Sequence, residues 1–229
     1  MDAPQRPTPV VFLHSAGLTP QMWQSQVEAV AARQAQEARV SGSQGAEGQV
    51  IAPWLAGLRP GRPAELSLAN AAVDVVSQLD RYGITKSWLV GHQLGAMAAL
   101  QVAVDEPERV AGLVLTGALI SPGKLALTMQ KGLIRMLPNR GLAESGATKD
   151  DLIRALDVVA TADFGKRLGD IAVPVLVIAG ASDPGLPSAK LLVQRIPNAR
   201  LAEIPNAGTT PSLEQPDAYN KLLTDFLSG

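Results

Sequence analysis

Cysteine is absent, and histidine occurs only at His14 and His92. Disulfides and thiolate metal centres are thereby excluded, and a histidine-rich metal site lacks ligands. Neither a metal nor any other cofactor is expected. No charge of one sign dominates: the formal net charge is -1, with acids and bases mixed along the chain. No basic patch or acidic block therefore points to nucleic acid or a membrane surface as partner. Long apolar runs are missing too, since none approaches the roughly 20 residues a spanning helix needs. The start, "MDAPQRPTP", has no basic segment leading into an apolar run, so it does not read as a signal peptide. The expectation is a soluble, cytoplasmic protein with a small-molecule substrate. The oligomeric state stays open.

What the chain does have is hydrophobic residues, 46% of 229, enough for one sizeable core. They fall in short runs: "PVVFLH" (9–14), "QVIAP" (49–53), "SWLVGH" (87–92), "VAGLVLTGAL" (110–119), "PVLVIAG" (174–180) and "ARLAEIP" (199–205). Continuous short runs rich in Val and Ile suit parallel strands buried on both faces. Helical patterns separate them. The clearest is "SLANAAVDVVSQLDRYG" (67–83), with Ser67 placed to cap its start and Gly83 to stop it. This alternation predicts an α/β fold, a doubly wound and mainly parallel sheet of about six strands. Two segments break the rhythm. "QAQEARVSGSQGAEGQ" (34–49) is polar with glycines and reads as a surface loop. Residues 120–170 lack a strand pattern and read as a helical lid inserted into a single domain spanning 1–229. Their apolar stripe (Leu125, Leu127, Met129, Leu133, Ile134, Met136, Leu137) is expected to form lid core.

The stretch "WLVGHQLGAMAAL" (88–100) carries the chemistry. A strand ending, two glycines four apart and an apolar helix form the pattern of a nucleophile elbow, G-x-S-x-G. Here the central residue is Gln93. "VVFLHSAG" is similar to a first strand with its oxyanion loop. "VIAPWLAGLRPGRP" is similar to a second strand and loop, and "IAVPVLVIAGASDPGLP" to the strand and turn that carry a triad acid. "IPNAGTTPSLEQPDAYNKLL" is similar to a histidine loop and final helix. In this order the pieces resemble the α/β-hydrolase fold family over nearly the whole chain.

The resemblance implies a triad acid at Asp183 but puts Gln93 where the serine belongs and Thr209 where the histidine belongs. An amide is no nucleophile, and a threonine hydroxyl is far too weak a base near neutrality. This excludes the ordinary Ser-His-Asp reaction and describes a divergent member with a degenerate triad. The fold would still supply the backbone N–H groups of Leu94 and Ala16 as oxyanion donors. His14 and Asp183 are then the candidate bases, each with a structural alternative: strand-end packing for His14, turn chemistry for Asp183. Gln93 is counted with them as a catalytic candidate and is expected to meet protein groups or a ligand. Ser15, Ala16, Leu94, Trp54 and Thr209 are the candidate substrate-binding residues.

Three functions follow. The favoured one is a non-hydrolytic enzyme, a lyase of biosynthesis that eliminates a small carboxylate from an acylated polyketide-type substrate, or cyclises it, without an acyl-enzyme. The second is an inactive hydrolase-fold protein that binds a small ligand or a partner. The third is a hydrolase with relocated groups, such as Ser15 or Thr209 acting with His14.

Overall fold

The computed structural model describes residues 7–40, 48–59, 65–120, 124–136 and 147–228. Six strands form one sheet: β1 (Val10–Leu13), β2 (Val50–Ile51), β3 (Ser87–His92), β4 (Val110–Thr116), β5 (Val175–Gly180) and β6 (Ala199–Ile204). Their spatial order is β2-β1-β3-β4-β5-β6, and every pairing is parallel. The expected six-stranded α/β architecture is thus what forms. Side chains alternate across the sheet. Val11, Leu13, Leu89, Leu113, Leu115 and Val177 enter one core layer with α2 (Leu68–Arg81), α3 (Leu94–Asp105) and α6 (Leu186–Arg195). Phe12, Val90, Val114, Leu176 and Ile178 enter the other, with Trp23 and with Tyr219 and Leu223 of α8 (Pro216–Leu227).

Local sequence explains the element ends. Ser67 caps α2 by accepting from Asn70 N, and Gly83 takes φ +67° just beyond its last turn. The polar segment 34–49 is a correction: α1 runs from Gln24 to Val40, so residues 34–40 are helical, and 41–47 lie outside the described residues. Its buried face is Gln26, Val30, Gln34 and Ala38, four residues apart each time. Two of the four are glutamines, so hydrophobic periodicity could not reveal the helix.

Between β4 and β5, α4 (Lys124–Met136) packs on α5 (Lys149–Ala160) through Leu127, Ile134 and Leu156. The expected stripe is corrected here as well. Met129, Leu133 and Met136 are exposed, while Leu125 and Leu137 lie where the side chains are not described. Thr148 starts α5 with a reciprocal cap, its hydroxyl accepting from Asp151 N while its own N–H donates to the Asp151 carboxylate. Leu152 of α5 lies directly over Gly17, where an added Cβ would come within 2.7 Å of Leu152 Cδ2. The helical pair thereby reaches the loop that follows β1. No helix among the described residues is long and apolar enough to cross a membrane.

Candidate active site at the carboxyl ends of the strands

Gln93 joins β3 to α3 with φ +46° and ψ −109°. A residue with a Cβ rarely adopts this backbone, and the geometry is that of a strained strand-to-helix turn. Its neighbours show what holds it. Gln93 N donates to Thr116 O at 2.7 Å, and Gln93 O accepts from Met97 N at 2.9 Å. A Cβ on Gly95 would fall 2.1 Å from Leu13 O, and one on Gly91 would fall 2.5 Å from Ala96 N. Only glycine lets α3 start this close to the end of β1. The Gln93 side chain is exposed, with its Cγ over Gly117, so solvent can satisfy its amide without a buried partner.

Leu94 opens α3, so its N–H has no acceptor within the helix. The loop His14–Gly17 abuts the same turn, since the Cβ missing from Gly95 would also meet His14 O at 2.7 Å. This brings the backbone of Ser15 and Ala16 alongside the elbow. Ser15 is buried, and its hydroxyl donates to Ala16 O at 3.3 Å. His14 is fully buried. Its Nε2 accepts from Leu55 N at 3.1 Å, which leaves Nδ1–H to donate to Ser15 O at 2.9 Å. Both ring nitrogens are thus committed to backbone, and no lone pair remains for a substrate proton. Burial also holds the His14 pKa below its usual value. Trp54 packs edge-on against His14, with ring centroids 5.0 Å apart, and its carbonyl accepts from Gln78 Nε2. His14 therefore ties the β1 loop to the segment after β2.

Asp183 lies in the turn after β5, with 9% of its surface exposed. Its Oδ1 accepts from Gly185 N at 2.7 Å. Burial raises its pKa above the ordinary carboxylate value, the Gly185 bond opposes this, and the like charge of Glu214 adds to it. The loop after β6 is fastened to this turn: Ser182 N donates to Ala207 O at 2.9 Å, and a Cβ on Gly180 would strike Gly208 O at 2.2 Å. Thr209 sits exposed in that loop, held from both sides. The Glu214 carboxylate accepts from Gly208 N and, at 2.8 Å, from Thr210 N. Sequence reading missed Glu214. Its signal was an acid four residues after Thr210 in a proline-started helical turn, where backbone N–H groups lack partners. Among the described residues, no group of three or more His, Asp or Glu side chains could hold a metal ion.

Residues 10–222 match the model of the alpha/beta hydrolase family. The chain belongs to this family. A protein of Klebsiella pneumoniae (strain 342), provisionally named carbamate hydrolase RutD, is 30% identical over 199 residues, which cover 72% of this chain and 75% of that one. Among solved structures, Est816, described as an N-acyl homoserine lactone degrading enzyme, is 26% identical, with TM-score 0.68 and coverage of 96% and 93%. The enol-lactonase of Burkholderia xenovorans LB400 is 19% identical with TM-score 0.79, covers 100% and 94%, and shares the fold. These relatives overturn the expected elimination chemistry. The curated relatives are named as hydrolases, and the lyase, polyketide and biosynthetic reading drawn from Gln93 and Thr209 is withdrawn. Losing two side chains from a pattern does not by itself choose a new reaction class.

Proposed function

We propose that this chain is a divergent α/β-hydrolase, with Gln93 and Thr209 in place of the triad serine and histidine, that cleaves a small carbamate or ester by direct attack of water. The observation that carries the reading is the buried carboxylate of Asp183, on the turn to which the Thr209 loop is fastened, bonded to Gly185 N and to no imidazole. Burial and the nearby Glu214 make that carboxylate more basic than a solvated one. The hydrolase names of the relatives support the reaction class, and the carbamate in the Klebsiella protein's name suggests the substrate.

In this reading the substrate carbonyl points at the N–H groups of Leu94 and Ala16. Water attacks the carbonyl carbon while Asp183 takes its proton, and the oxyanion forms against the two donors. Collapse breaks the bond from carbon to the leaving oxygen or nitrogen, which recovers the proton from Asp183. The exposed Gln93 amide orients the water or the substrate. Ser15, Trp54 and Thr209 line the approach, with α4 and α5 as the lid. His14 positions the β1 loop rather than moving a proton.

The test is release of acid from a panel of small carbamates and phenyl esters, followed by titration and mass spectrometry. Turnover without any acylated protein is expected, with Asp183→Asn lowering kcat by about 10²–10⁴. A stoichiometric acyl adduct, full activity in Asp183→Asn, or binding of these compounds without turnover would each overturn the proposal.

A further inference from the structure

A second polar cluster lies behind the elbow, on the sheet face opposite α3. His92, the last residue of β3, is in register with Thr116, the last of β4. Both continue the row Val90 and Val114 that faces α8. Thr116 Oγ1 and Tyr219 Oη are 3.1 Å apart, and the Tyr219 ring lies 6.1 Å from that of Trp23. Gln26 Nε2 donates to Ser212 O at 3.2 Å and to Asn220 Oδ1 at 2.8 Å, joining α1 to α7 (Pro211–Glu214) and α8.

In this region five buried atoms have no hydrogen-bond partner: Trp23 Nε1, Gln26 Oε1, both ring nitrogens of His92, and Ser212 Oγ. They are chemically complementary. The indole N–H only donates and the amide oxygen only accepts. The hydroxyl and a neutral imidazole do both. Natural folds rarely leave such groups unpaired, and one internal water commonly meets about three of them. The charge of Glu214 favours a protonated His92, yet burial outweighs it and His92 stays neutral. A neutral ring offers one donor and one acceptor, which is what a bridging water requires.

We propose that Trp23, Gln26, His92 and Ser212 hold internal water behind the elbow, and that through this water His92 is a positioning residue for the Gln93 turn. The link is short. His92 is bonded directly to Gln93, and the N–H of Gln93 is held by the carbonyl of Thr116, the register partner of His92. Fixing the His92 ring fixes the last peptide before the strained residue. This inference is independent of the proposed hydrolysis.

The test uses the full chain. A crystal structure at high resolution should show ordered water within hydrogen-bond distance of a His92 nitrogen and of Trp23 Nε1 or Ser212 Oγ. Direct bonds among these side chains with no water between them would overturn the proposal. In ¹⁵N spectra of the parent protein, His92 should be a single neutral tautomer at pH 7. A ring averaging between tautomers would also overturn it. His92→Asn, which keeps a donor and an acceptor, should leave the Gln93 and Leu94 amide resonances nearly in place. His92→Phe should shift both. Equal spectra from the two variants would refute the positioning role.

Discussion

Gln93 holds φ +46° and ψ −109° with a side chain that lies in solvent. The backbone alone therefore carries the cost, which for a non-glycine residue in such a region is of order 1–3 kcal/mol. Replacing Gln93 with Ala keeps the Cβ and the strain. Replacing it with Gly removes the strain but adds about 0.5–1 kcal/mol of unfolded-state entropy to be lost. Relative to Gln93→Ala, Gln93→Gly should be more stable by about 0.5–2 kcal/mol. For a chain of this size that is roughly 1–8 °C in Tm, at about 2–4 °C per kcal/mol. Urea unfolding of the pair at pH 7, read by circular dichroism with equal m-values, measures the difference directly. A glycine variant no more stable than the alanine variant would show that the turn is relaxed in solution and that the elbow is not held under strain.

The neighbouring glycine should behave in the opposite sense. Gly95→Ala would place its Cβ against Leu13 O and His14 O, both backbone, and should cost about 3 kcal/mol in the same unfolding assay. His92 has its pKa lowered from 6.5 to about 4 by burial, so the unfolded chain binds the proton more readily. Its contribution to stability is therefore full above pH 6.5 and falls away toward pH 4, a loss on the order of 3 kcal/mol that His92→Asn should abolish. Asp183 has the reverse sign. Its raised pKa favours the protonated form in the folded chain, so its contribution is present at low pH and lost as pH rises through the folded value. Asp183→Asn should then be at least as stable as the parent at pH 8, measured by thermal unfolding. The double variant Gln93→Ser, Thr209→His should gain esterase activity that forms an acyl-enzyme, detectable as a burst with p-nitrophenyl acetate. No adduct in a folded double variant would show that the two positions do not face each other as the family pattern implies.

The sequence by itself determined the sheet. Six apolar runs with glycine and proline between them leave little choice but parallel strands, because a strand buried on both faces needs side chains like those of "VVFL" and "VLVIAG". It also determined the strained turn, since "GHQLG" puts glycine at the two places where α3 meets β1 and its own strand. It could not show α1, whose buried face is half glutamine, because a residue such as Gln26 is buried only when distant partners, here Ser212 and Asn220, complete it. Nor could it show what either histidine meets. Both sit at strand ends, yet His14 gives both nitrogens to backbone from two loops, while both nitrogens of His92 are buried without a hydrogen-bond partner in the protein. Glu214 is one exposed acid among many in the sequence, and only the fold brings its carboxylate to the peptides on either side of Thr209 and its charge near Asp183. Periodicity records which face a residue takes, and that is set locally. Which groups meet at the ends of the strands depends on contacts between segments far apart in the chain, from Leu55 with His14 to Ser212 with Gln26, and only the tertiary structure decides them.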